Sequence, residues 1–152
     1  MKAAVSNLRS HLGFWMRFVS NHVSYSFARK IESKGVTVAE WVILREMYEH
    51  QDKTSPSLII KQTGLTKGTV SKLIDRLCDK KLATRLSAKD DRRFQEIGLT
   101  DKARSLIPKL AALADTNDKE FFGCLNGRDH DDLDRILKKI VKENKLNKTP
   151  IN

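Results

Sequence analysis

Residues 66–100 read TKGTVSKLIDRLCDKKLATRLSAKDDRRFQEIGLT, and this stretch decides the fold. A basic amphipathic helix runs straight into two short strand-like segments, and the loop between them carries Lys89, Asp90, Asp91, Arg92 and Arg93. On a wheel at about 100° per residue, Val70, Leu73, Ile74 and Leu77 fall on one side. Gly68, Ser71, Lys72, Asp75 and Arg76 fall on the other, with Thr69 at its margin. After Lys81 the period changes: Leu82, Thr84 and Leu86 alternate with Ala83, Arg85 and Ser87, and Ile97 and Leu99 alternate with Glu96 and Gly98. That predicts a short hairpin. A helix sized for the major groove followed by a charged hairpin tip predicts a winged helix-turn-helix that binds double-stranded DNA.

The residues upstream supply the rest of that unit. Ser55-Pro56 is a cap followed by proline at the first helical position, where its missing N–H costs nothing. Leu58, Ile59 and Ile60 fill a short helix, Gly64 gives the tight turn, and Thr66 caps the next helix. Thr37 with Glu40 forms a reciprocal capping box for a helix carrying Trp41, Leu44 and Tyr48. A break is expected at Asp52–Thr54.

Charge agrees. The chain has 29 Lys and Arg against 19 Asp and Glu, a formal net charge of +10. Residues 61–93 hold ten basic and four acidic residues, a surplus of six. More than half of the net charge thus sits in about a fifth of the chain, which favours a polyanionic partner over a merely solvated basic face.

Both ends of the chain read as long amphipathic helices. Residues 8–33 place Leu8, Leu12, Trp15, Val19, His22, Val23 and Ser26 on one stripe, widened by Phe14, Phe18 and Phe27; Gly35 ends it. Thr100-Asp101 caps another helix, apolar at Leu106, Ile107, Leu110, Leu113 and Ala114, which Pro108 is expected to kink. Asn126 or Asp129 starts the last helix, with Leu133, Ile136, Leu137, Ile140 and Val141 on one stripe. Isolated helices do not hold themselves together in water, so these stripes must be buried. A twofold dimer does so, and would set two recognition helices roughly 34 Å apart for a palindromic site.

The expected organisation is therefore mainly α with a small β-hairpin wing. Residues 1–36 and 101–146 form a helical dimerisation region, residues 37–100 the winged helix-turn-helix, and residues 147–152 a frayed tail. The chain shows no apolar run of signal-peptide or membrane-spanning length, so it is expected in the cytoplasm, associated with the nucleoid. Cys78 and Cys124 form no metal-type or redox-type pair and read as small apolar residues. His11, His22, His50 and His130 are scattered without ligand spacing, and no Ser or Cys nucleophile has a partner pattern. The chain is not expected to be an enzyme, nor to carry a metal or other cofactor.

VTVAEWVILREMYE at 36–49, GLTKGTVSKLIDRL at 64–77 and DDRRFQEIGLTDKARSLIPKL at 90–110 resemble the MarR family of bacterial transcriptional regulators. The resemblance runs from about Leu8 to Asn144 and includes the family's wing signature as Asp91 and Arg93. It implies an obligate dimer of six-helix subunits joined through their terminal helices. It also implies a repressor that loses DNA affinity when a small phenolic or other aromatic anion binds. The family's oxidant-sensing branch uses a cysteine early in the first helix; this chain has none before Cys78.

Residue roles follow from that resemblance. Thr66, Lys67, Gly68, Thr69, Ser71, Lys72 and Arg76 are expected to face DNA from the recognition helix, and Arg92 and Arg93 from the wing tip. Arg85 and Lys89 are expected on phosphate, which positions without specifying. Asp75 and Asp91 would support the wing. Asp75 would pair with Arg93, stay exposed, or accept from a cytosine amino group. Trp15, His22, Trp41 and Arg45 read either as core or as the lining of a cleft for a small aromatic anion. A winged-helix module without effector control, or one that binds protein or RNA, remains the alternative.

Overall fold

The computed structural model describes residues 4–86 and 96–151. After a 3₁₀ turn at Leu8–Ser10, the chain forms α1 (Leu12–Glu32), α2 (Val38–Glu49), β1 (Lys53–Thr54), α3 (Pro56–Thr63) and α4 (Lys67–Asp79). It continues through β2 (Ala83–Leu86), β3 (Glu96–Leu99), α5 (Asp101–Phe122) and α6 (Gly127–Glu143). The fold is mainly α with a small antiparallel sheet.

Capping chemistry sets the boundaries. Thr37 accepts from the Glu40 amide while the Glu40 carboxylate accepts from the Thr37 amide, closing the capping box of α2. Ser55 caps α3 ahead of Pro56, and Gly64 ends it at φ 73°. Thr66 caps α4, Thr100 caps α5 and Asn126 caps α6, each accepting from an amide three residues on. The expected helix over residues 8–33 is shorter: His11 has extended backbone, so α1 begins at Leu12. α5 runs as one helix through Pro108.

The sheet departs from a simple hairpin. Lys53–Thr54, expected as a break, is a third strand that pairs β3, giving the order β1-β3-β2. Gln51 and Asp52 both take positive φ to turn the chain into it. The expected alternation in β2 also fails. Leu82 and Ala83 are both buried while Thr84 and Arg85 are both exposed, because the strand leaves the core within two residues.

One apolar core crosses the expected boundaries at 36/37 and 100/101. Leu44, Met47, Val70, Ile74, Leu77 and Ile97 pack with Ile31 and Val36 on one side and Ala103, Ile107 and Leu110 on the other. α1 and α5 also share a polar clasp. Lys30 Nζ donates to Ser26 Oγ (2.8 Å), Asn117 Oδ1 (3.0 Å) and Glu120 Oε2 (2.5 Å), and the buried Asn117 amide donates to the Val23 carbonyl.

A second polar network holds α4 to α2. The Glu40 side chain is fully buried, and Lys80 Nζ reaches its two oxygens at 2.9 and 2.7 Å and the Gly35 carbonyl at 2.8 Å. All three ammonium donors are thereby used at the carboxyl end of α4. Lys80→Met would leave a buried carboxylate without its counter-charge, and is expected to cost about 3 kcal/mol of unfolding free energy in urea denaturation. Glu40→Gln keeps the capping geometry and should cost less. A loss below about 1 kcal/mol for Lys80→Met would show that the pair does not hold the fold.

α6 is different in kind. None of its residues is buried, and Ile136, Leu137, Ile140 and Val141 are 36–46% exposed on one stripe. On α1, Trp15 and Phe18 are 47% and 51% exposed. No helix among the described residues is long and apolar enough to cross a membrane.

Candidate nucleic-acid interface

α4 presents two unlike faces. Val70, Leu73, Ile74 and Leu77 are buried against the rest of the unit, while Thr66, Lys67, Gly68, Thr69, Ser71, Lys72, Asp75 and Arg76 are exposed. The division is the one the helical period predicts. Thr66 Oγ1 accepts from the Thr69 amide at 3.3 Å and lies 2.9 Å from Thr69 Oγ1, so the hydroxyls at the amino end are held by the cap itself. A Cβ placed on Gly68 meets nothing within 4 Å. The helix therefore offers bare backbone at its second residue, flanked by short polar side chains, with Lys72 and Arg76 one and two turns on. Helix-turn-helix proteins insert that end of the second helix into the major groove.

Asp75 is paired with a strand residue that the sequence reading does not offer as its partner. Arg85 Nη2 on β2 donates to Asp75 Oδ1 at 2.5 Å, with both side chains about half exposed. The acid on the outward side of α4 thus fastens the strand that follows it, β2. Arg93, the expected partner, lies outside the described residues, as do Lys89, Asp91 and Arg92. Arg85 therefore has a second role beside the expected phosphate contact.

Two features of the unit were not foreseen. Lys53 on β1 lies 3.6 Å from Glu96 on β3, so the edge strand carries a cation next to the wing. Arg104 joins the β1 turn to α5, donating to Asp52 at 2.7 Å and to Asp101 at 2.7 Å; the hydrogen bond to Asp52 raises its already high pKa. Burial pushes the Cys78 thiol up, against the opposing field of Arg85, which leaves little thiolate for redox chemistry.

The four residues expected to line an effector cleft each meet partners other than one another. Trp41 is nearly buried and meets Phe27 edge-on at 6.1 Å. Trp15 lies twelve residues before Phe27 on the same helix, roughly 18 Å at the α-helical rise. Its indole N–H donates to the Arg9 carbonyl. His22 Nδ1 lies 2.7 Å from the Phe18 carbonyl, and Arg45 pairs with Glu49 at 2.9 Å. Instead, Phe14, Phe18 and His22 form a stacked run along α1, with ring centroids 6.1 and 4.7 Å apart.

A capped helix with a small, polar, basic outward face, set beside a three-stranded antiparallel sheet, is the architecture of a winged helix-turn-helix. Residues 34–93 match the MarR family model. Solved structures carry the same fold over nearly the whole chain. BpsR of Bordetella bronchiseptica, described with regulation of its DNA binding by 6-hydroxynicotinic acid, is 24% identical with a TM-score of 0.76; the match covers 90% of this chain and 97% of that one. An organohalide-sensing regulator bound to 2,4-dichlorophenol is 16% identical with a TM-score of 0.77, covering 98% and 95%. A mutant MarR from E. coli in complex with operator DNA is 20% identical with a TM-score of 0.76, covering 90% and 99%.

Proposed function

We propose that the protein is a dimeric, cytoplasmic repressor that binds a palindromic operator through two copies of α4 and releases it when a small aromatic anion binds. The observation that carries the DNA reading is the exposed face of α4 from Thr66 to Arg76, set on a helix whose opposite face is wholly buried. Thr66, Lys67, Thr69, Ser71, Lys72 and Arg76 make the groove contacts in this account. Gly68 admits the backbone to close range. Arg85 and Lys89 take phosphates, Arg92 and Arg93 the minor groove, and Asp75 and Asp91 steady the wing.

Dimerisation is supported by the apolar stripes of α1 and α6, which one subunit leaves uncovered. The effector reading draws on BpsR and the dichlorophenol-bound regulator. A ligand acts only through differential affinity for the DNA-binding and non-binding states. A reading without effector control is favoured by the packing of Trp41 against Phe27 and the pairing of Arg45 with Glu49, which give both residues partners within the chain.

Sedimentation and fluorescence test these claims together. The chain should sediment as a dimer at micromolar concentration; a monomer there would contradict the account. Salicylate-like anions at millimolar levels should quench tryptophan emission and lower operator affinity over one concentration range. Quenching with unchanged DNA affinity, or no quenching, would favour the effector-free reading.

A further inference from the structure

We propose that residues 146–151 form a strap that fastens the end of α6 to the turn of the helix-turn-helix, so that the position of α6 sets the stance of α4. The proposal rests on the DNA-binding reading above. The sequence expectation is a frayed tail over residues 147–152, whereas Lys148 and Thr149 have partners on α3. α6 ends in a turn with Lys145 at φ 53°, while the Leu146 amide donates back to the Val141 carbonyl at 3.0 Å. A lysine in the left-handed region persists only where its surroundings favour it, and here the turn sends the chain back to α3.

The contacts at α3 are those a helix end lacks. The last carbonyls of an α-helix have no partner within it. The tail supplies two donors: Lys148 Nζ to the Lys61 carbonyl at 2.8 Å and the Thr149 amide to the Gln62 carbonyl at 2.9 Å. A cation at this end also suits the helix dipole. The aliphatic stem of Lys148 lies over Gly64, its Cδ 3.5 Å from where a Cβ would stand. Thr149 is half-buried and closes a small cavity of about 10 Å³ together with Val42, Ile43, Ile59 and Thr63. The strap therefore completes the cap of α3 immediately before Thr66, the residue that starts α4.

Its mechanical meaning follows from how loosely α6 is otherwise held. Between Asp134 and Lys148 every residue is exposed, so the strap is the anchor of the carboxyl end of α6 on its own subunit. Two hydrogen bonds set against the ordering of several residues leave such an attachment near balance. A shift of α6 then either drags the turn before α4 or releases it.

Full-length protein should be compared with a chain ending at Leu146 and with Thr149→Pro, which removes the one amide donor. Hydrogen exchange at residues 60–66 should quicken in both, with the sedimentation of the full-length protein retained. Operator affinity should fall about fivefold or more, while random-duplex affinity and the salt slope stay unchanged. Unchanged exchange, or faster exchange without loss of operator affinity, would overturn the proposal. A parallel loss on operator and random duplex with a shallower salt slope would also overturn it, by making the tail a phosphate contact. If the full-length chain binds no operator, the DNA reading fails, and exchange at 60–66 still decides whether the strap exists.

Discussion

A fragment limited to residues 37–100 is expected to be unfolded in water. It has the sequence boundaries of a complete winged helix-turn-helix, but its core does not end where they do. Ile31, Val36, Ile107 and Leu110 are each no more than 1% exposed and all lie outside it. Burying four such side chains stabilises by roughly 6–12 kcal/mol, which is comparable to the whole stability of an ordinary domain. The fragment also loses Thr100-capped α5 and the core residues Ala103, Ile107 and Leu110 that it carries. Trp41, nearly buried in the full chain, reports the outcome directly. In the fragment its emission should be that of a water-exposed indole, with no cooperative urea transition. In the full chain, Ile107→Ala should cost about 2–5 kcal/mol. A fragment that unfolds cooperatively with Trp41 shielded would show that the winged unit is independent of α1 and α5.

Lys72→Ala and Arg76→Ala should each weaken operator binding by about 1–3 kcal/mol and relax sequence preference at the contacted position. Both side chains are exposed and stand on the outward face of α4, so neither loss should be accompanied by a change in urea midpoint. Gly68→Ala sharpens the point. Nothing in the free protein meets the added methyl group, and alanine is the better helix former by up to about 1 kcal/mol. The variant should therefore be as stable as the parent or more so, yet bind the operator less well, because the methyl stands where the helix backbone would approach DNA. Fluorescence anisotropy with operator and random duplexes, beside chemical denaturation, separates the two effects. Unaltered operator affinity in Gly68→Ala would remove the amino end of α4 from the groove.

The sequence was most readable where local chemistry acts alone. Thr37 with Glu40, Ser55 before Pro56, Gly64 and Thr66 set helix ends through hydrogen bonds spanning a few residues, and each stands where its pattern placed it. The 3.6-residue period of α4 likewise separated buried Val70, Leu73, Ile74 and Leu77 from the outward face. What escaped depends on partners far along the chain. Two residues, Lys53 and Thr54, have no period to read, and become a strand only because β3 passes beside them. Lys80 counted as surface charge until α2 brought Glu40 against it, 40 residues away in sequence. Lys148 and Thr149 carried no apolar signal, yet their donors meet carbonyls of α3. Asp75 was legible as an acid in need of a cation, and the structure pairs it with Arg85 on β2.

The central claim is that a pair of chains reads one palindromic duplex through two copies of α4. The most direct measurement is stoichiometric titration of the full-length protein against a duplex carrying the inverted repeat nearest its own gene, followed across salt concentrations. Two chains should saturate one duplex. Affinity should exceed that for random DNA by at least about 10³-fold, and binding to both should weaken steeply as salt rises. One chain per duplex, or equal affinity for palindrome and random DNA at every salt concentration, would contradict the account.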